Sequence, residues 1–135
     1  MVGTCLIAEA DPFIAQLLLR FVEQSGCRGV RAKVGEELVV LADRTRPNVI
    51  IAEAELPGKM RGWETVRALR ADPATRNIAV ISCSWLPETR ARELMGDVSY
   101  HLQKPDLHYE DFLRALEGAG WQFNRHGQSP AADDQ

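Results

Sequence analysis

The run Val49-Ile50-Ile51-Ala52 is apolar at every position and ends in a carboxylate, Glu53. Other apolar runs end in groups that could share a site with it. Glu9 and Asp11 follow Thr4–Ala8, Ser84 follows Ile78–Cys83, and Lys104 with Pro105 follows Tyr100–Gln103. Acids, a hydroxyl and an amine at the carboxyl ends of strands are the parts of a polar site, because ligands of open α/β sheets sit in the crevice beyond those ends. His108 and His126 stand too far apart in the chain to suggest a metal centre, and the expected metal set is none.

The elements that must position these groups can be read from period and punctuation. Thr4–Ala8 has the length of a buried strand, and Pro12 then opens a helix, where its missing N–H is not needed. Phe13, Leu17, Leu18, Phe21 and Val22 are expected on the buried face of that helix, which Gly26 ends. Gly29–Ala32 forms a second strand, and Leu38, Val39, Leu41 and Ala42 line the next helix. Val49–Ala52, without a polar interruption, is expected to be covered on both faces, as parallel strands are. Trp63, Val66 and Leu69 mark a third helix, Ile78–Cys83 a fourth strand, Pro87–Met95 a short helix, Tyr100–Gln103 a fifth strand and His108–Leu116 a last helix. Five β–α units in succession predict a doubly wound parallel sheet with helices on both faces. The domain is expected over residues 1–121, and the polar segment 122–135 is expected to be a flexible tail.

Composition narrows the function. With 135 residues the chain fits one domain with a full core. A net charge of −3 gives no general attraction to nucleic acid. Cys5, Cys27 and Cys83 are odd in number and lack zinc spacing, so free thiols in a reducing compartment are expected. No run approaches the roughly 20 apolar residues that cross a bilayer, and the N-terminal text carries no charged leader or cleavage signal. A cytoplasmic protein without a membrane partner is the expectation.

In order along the chain, these landmarks resemble the receiver domain of response regulators, over residues 4 to 118. The segment Pro47-Asn48-Val49-Ile50-Ile51-Ala52-Glu53-Ala54-Glu55-Leu56-Pro57-Gly58 is similar to the third strand and loop of that family. The resemblance implies a CheY-like, flavodoxin-like (βα)5 fold with strand order 2-1-3-4-5. It puts Glu53 in the place of the phosphoaccepting aspartate, Glu9 in the first of two acidic places, and Ala10 where the second acid would stand. Ser84 falls on the switch hydroxyl, Lys104 on the family's lysine, and His101 on the aromatic switch place. The Lys104–Pro105 bond is commonly cis in such domains.

The departures can be weighed physically. In receivers an aspartate attacks a phosphoryl group while magnesium and lysine neutralise the moving oxygens. Glu53 carries its carboxylate outward by about 1.5 Å, and a misplacement of about 1 Å can cost ~100-fold in rate. Ala10 removes an acid as well. The expectation is therefore a pseudo-receiver: a non-enzymatic, phosphorylation-independent protein-binding module of bacterial two-component-type signalling. No cofactor is expected, with magnesium binding weak or absent. The partner is another signalling protein, and the chain itself a monomer or weak homodimer. The alternative is a receiver that keeps weak magnesium-dependent phosphoacceptor activity through Glu53, Glu55 or Asp11. A nucleotide-binding enzyme has little support, because no Gly-rich phosphate loop follows the first strand.

Several neighbours have two readings. Ser84 either donates to Glu53 or serves as a turn residue. His101 either rotates as a switch or sits half-exposed at an edge. Trp85 either plugs the space above the site or stands exposed as a partner anchor. Met60 and Arg61, on a loop one residue longer than usual, are candidate partner contacts. Asp11 is the acid that could join Glu9 in an acidic pocket.

Overall fold

Side chains of a strand point alternately to opposite faces, so a strand covered on both sides must be apolar throughout. β3 (Val49–Ala52) meets this condition, with all four residues buried. The computed structural model describes residues 3–121. The other strands are β1 (Thr4–Ala8), β2 (Arg28–Ala32), β4 (Ala79–Ser84) and β5 (Tyr100–Gln103). Between and after them run α1 (Pro12–Gln24), α2 (Gly35–Thr45), α3 (Gly62–Ala71), α4 (Glu88–Met95) and α5 (Tyr109–Gly118). The strands form one parallel sheet in the order β2-β1-β3-β4-β5, as expected. The segment read as a tail, 122–135, lies outside the described residues.

Strand alternation divides the core in two. Cys5, Ile7, Val49, Ile51, Ile81 and Cys83 point to the side covered by α1 and α5. Leu6, Ala8, Ile50, Ala52 and Val80 point to the side covered by α2, α3 and α4. On the first side Phe21 packs against Tyr109 and Phe112, with ring centroids 5.5 and 5.6 Å apart. Tilted aromatic pairs of this kind add about 0.5–1.5 kcal/mol each beyond the area they bury.

The structure shifts a few expected boundaries. β2 begins one residue earlier, at Arg28, α5 continues to Gly118, and β4 is displaced by one so that Ser84 is its last residue. Phe13 corrects the expected buried face of α1, being 81% exposed. Ala15, Leu18, Phe21 and Val22 make that face instead. Five residues at ~100° each place Phe13 about 140° round the helix from Leu18, away from the sheet. On α2, Leu38 and Ala42 are buried, while Val39 and Leu41 are only partly so. Trp63, on the first turn of α3, packs half-buried against the second core.

Candidate functional site

Because all five strands are parallel, their carboxyl ends lie along one rim, where Glu9, Glu53 and Lys104 meet and Ser84 ends β4. Glu9 is 3%, Glu53 6% and Lys104 4% exposed, so three ionisable groups share a space nearly closed to water. Lys104 Nζ donates to Glu53 Oε2 and lies 2.6 Å from Glu9 Oε1. The Glu9 contact is an ion pair without hydrogen-bond alignment, and Oε1 has no hydrogen-bond partner. The remaining carboxylate oxygens accept from the backbone two residues on: Glu53 Oε1 from Glu55 N at 2.9 Å, Glu9 Oε2 from Asp11 N at 3.0 Å. The cluster thus carries two carboxylates against one ammonium. The Lys104–Pro105 bond is cis.

The imbalance appears in the proton affinities. Burial, the largest influence, raises Glu9 above the ordinary carboxylate range. The nearby Lys104 ammonium and the Asp11 N–H offset this only in part, while the charge of Glu53 adds to it. For Lys104 burial is again the largest single influence and acts downward, yet the two carboxylates together bring it above the usual lysine value. A raised carboxylate favours the fold most when protonated. Its contribution is complete below the unfolded value of about 4.3 and is lost as pH rises through the folded one. The raised Lys104 loses its contribution only in strong alkali, above about 10.4. Glu9→Gln is therefore expected to gain stability relative to the unsubstituted protein as pH rises from about 4 to 7, in denaturant titrations at the two pH values.

The neighbours resolve differently from one another. Asp11 does not join the pocket: its Oδ1 accepts from Phe13 N at 2.8 Å and from Ile14 N at 3.3 Å, capping α1. Ser84 Oγ accepts from Leu86 N at 3.0 Å, the turn geometry rather than a bond to Glu53. The half-exposed histidine is corrected too, since His101 is 9% exposed. Its Nδ1 lies 2.7 Å from Ser82 Oγ and its Nε2 3.0 Å from Gln103 Oε1. An amide oxygen only accepts, so Nε2 carries a proton. Trp85 does not fill the site; it is 58% exposed, with its ring centroid 6.0 Å from Lys104 Nζ. That distance is within reach of a cation–π attraction. Met60 is half-buried and Arg61 exposed at the start of α3.

The loop between Glu53 and α3 is seated on α2. Gly35 N donates to Pro57 O at 3.2 Å, and Lys59 N donates to Glu36 Oε1 at 3.1 Å. Gly58 turns the loop with φ +109°, a conformation that favours glycine. Sequence reasoning missed two contributors. Arg31, on β2, donates to the carbonyls of Glu9 and Ala10. Gln103 Nε2 donates to the carbonyls of Ser84, Trp85 and Lys104, tying β5 to the loop that carries Trp85. Their signal was a long polar side chain inside a strand, which apolar periodicity passes over.

Comparison with known proteins agrees with this architecture. Similarity extends to the polar-differentiation response regulator DivK of Brucella anthropi, 28% identical over 109 residues, covering 78% of this chain and 86% of that protein. The signal receiver domain of a signal transduction histidine kinase from Syntrophus aciditrophicus superposes with a TM-score of 0.76 at 27% identity, over 88% of this chain and 91% of that one. The receiver domain of the sensor histidine kinase PA1611 from Pseudomonas aeruginosa PAO1 shares the fold at 22% identity, with a TM-score of 0.78 over 89% and 99%. In that domain a magnesium ion is coordinated in the active-site cleft. This corrects the expectation that the cofactor is none: a domain of this fold can hold the ion. Among the described residues no helix is long and apolar enough to cross a membrane. The response regulator receiver domain model matches residues 5–117, a family of signalling modules rather than enzymes, and the chain belongs to it.

Proposed function

We propose that this receiver acts in bacterial two-component-type signalling by binding another protein in the cytoplasm, and that its output is set by the pairing of Lys104 with Glu53. The observation that carries this reading is the closure of the Glu53 carboxylate, one oxygen on Lys104 Nζ and the other on Glu55 N. Each oxygen keeps a second lone pair, but the contacts with Lys104 and Glu55 N fix the direction of the carboxylate and draw charge from it, which weakens it as a nucleophile. Glu53 supplies about one negative charge where a phosphoryl group brings ~1.5 to 2. In this reading the pair holds the module in one state without phosphoryl transfer. Trp85, Met60 and Arg61 border the site as partner contacts.

A second reading keeps magnesium-dependent phosphoacceptor chemistry at Glu53 or the exposed Glu55. The comparisons favour it over the first, through the magnesium-holding PA1611 domain. The residues here fit the ion. Magnesium takes one or two carboxylates together with water and phosphate oxygens, and Glu9 and Glu53 converge, with Glu9 Oε1 lacking a hydrogen-bond partner. Those two side chains would hold it, each giving up its contact with Lys104. Bound there, magnesium would supply positive charge to phosphoryl oxygens.

Intact mass after incubation with acetyl phosphate and magnesium separates the readings. An Ala10→Asp, Glu53→Asp double variant serves as the positive control. Phosphoryl gain by the double variant alone supports the closed pair; gain by the unsubstituted chain establishes the second reading, and peptide mapping then locates the acceptor.

A further inference from the structure

Arg31 lies on the edge strand β2, paired in register with Ile7 of β1. Its side chain leaves the strand for the loop beyond β1. Nε and Nη2 donate to Glu9 O at 3.1 and 3.0 Å, and Nη2 also reaches Ala10 O at 3.1 Å. The same short loop has two further ties: Glu9 N donates to Ala32 O at 3.0 Å, and Asp11 N to Glu9 Oε2 at 3.0 Å. Glu9 is therefore fixed at its amide by the β2 backbone, at its carbonyl by a guanidinium and at one carboxylate oxygen by the next turn. The oxygen left over, Oε1, is the one that faces Lys104 Nζ at 2.6 Å.

We propose that Arg31 is a positioning residue for the acidic site, holding the backbone of Glu9 and Ala10 so that Glu9 Oε1 is presented to a cation. The occupant of that place is the Lys104 ammonium or, resting on the second reading above, a magnesium ion. The planar guanidinium acts through geometry: two of its nitrogens grip one carbonyl while one of them also reaches the next. An ammonium is a point charge and cannot reproduce that fork. The hydrogen bonds are charge-assisted, which places them among the stronger ones available to a backbone carbonyl.

The test uses the whole chain with Arg31→Lys and Arg31→Met. Amide exchange at Asp11 N–H, measured against Leu6 N–H in β1, reports the loop apart from any global loss of stability. Magnesium chloride titration, followed by amide shifts of Glu9 and Glu53, reports the site. Both variants are expected to exchange the Asp11 amide about tenfold faster relative to Leu6, and to bind magnesium about tenfold more weakly. Wild-type exchange in Arg31→Lys would show that charge alone suffices and overturn the proposal, as would tighter magnesium binding by Arg31→Met. If the unsubstituted chain binds no magnesium, the second reading of function fails, and the Asp11 exchange still decides the role of Arg31.

Discussion

Lys104→Met is expected to lower the unfolding free energy by about 3–5 kcal/mol, the range found when one member of a buried ion pair is removed. The reason is the charge count of the cluster. Glu9 and Glu53 both face Lys104 Nζ, and neither has bulk water to turn to. Without the ammonium, two buried carboxylates confront each other, and one must take a proton or draw in water. Glu53→Gln has the opposite character. It leaves Glu9 and Lys104 as a one-to-one pair, but an amide oxygen that still accepts from Glu55 N turns its NH2 toward Lys104 Nζ, so a smaller cost of about 1–3 kcal/mol is expected. Denaturant midpoints at constant m-value measure both. Equal losses in the two variants would mean that the imbalance described here does not govern the site.

Gly62→Ala should be the second severe substitution. A Cβ there would stand 1.9 Å from Glu53 O and 2.8 Å from Ala54 O. These are backbone atoms at the end of β3, so no side chain can rotate away, and the start of α3 must lift off the strand. We expect a loss of about 3 kcal/mol or more, accompanied by a shift of the Glu55 amide resonance as the Glu53 turn is disturbed. Gly96→Ala provides the contrast. Nothing lies within 4 Å of its Cβ, but its φ of +79° is costly for alanine, and the loss should be about 1–2 kcal/mol with the Glu55 resonance unmoved. Thermal or denaturant unfolding together with amide spectra distinguishes the two.

The sheet and its rim were legible because their signals are local. An unbroken apolar run such as Val49–Ala52 has few alternatives, and an acid at its end has to lie at a strand terminus. Asp11 shows the limit of that reasoning. An acid directly before a proline that opens a helix is also a helix-cap signal, and the cap is what the structure displays. Phe13 was misread because an apolar residue in the first helical turn says nothing of where the sheet below it ends. The half-exposed reading of His101 fails because its two partners, Ser82 and Gln103, lie on adjacent strands whose register no short window reveals. The grip of Arg31 on the first loop depends in the same way on the pairing of β2 with β1.

The division of the core by the sheet has a practical consequence. The chain has three cysteines, and all three are buried and unbridged in the layer beneath α1 and α5. The layer beneath α2, α3 and α4 has none. Burial also raises the proton affinity of each thiol, so none is a ready thiolate while its surroundings stay closed. An alkylating reagent applied under native conditions thus senses the parting of one layer and is blind to the other. The protein carries a one-sided gauge of its own breathing, already installed in its sequence.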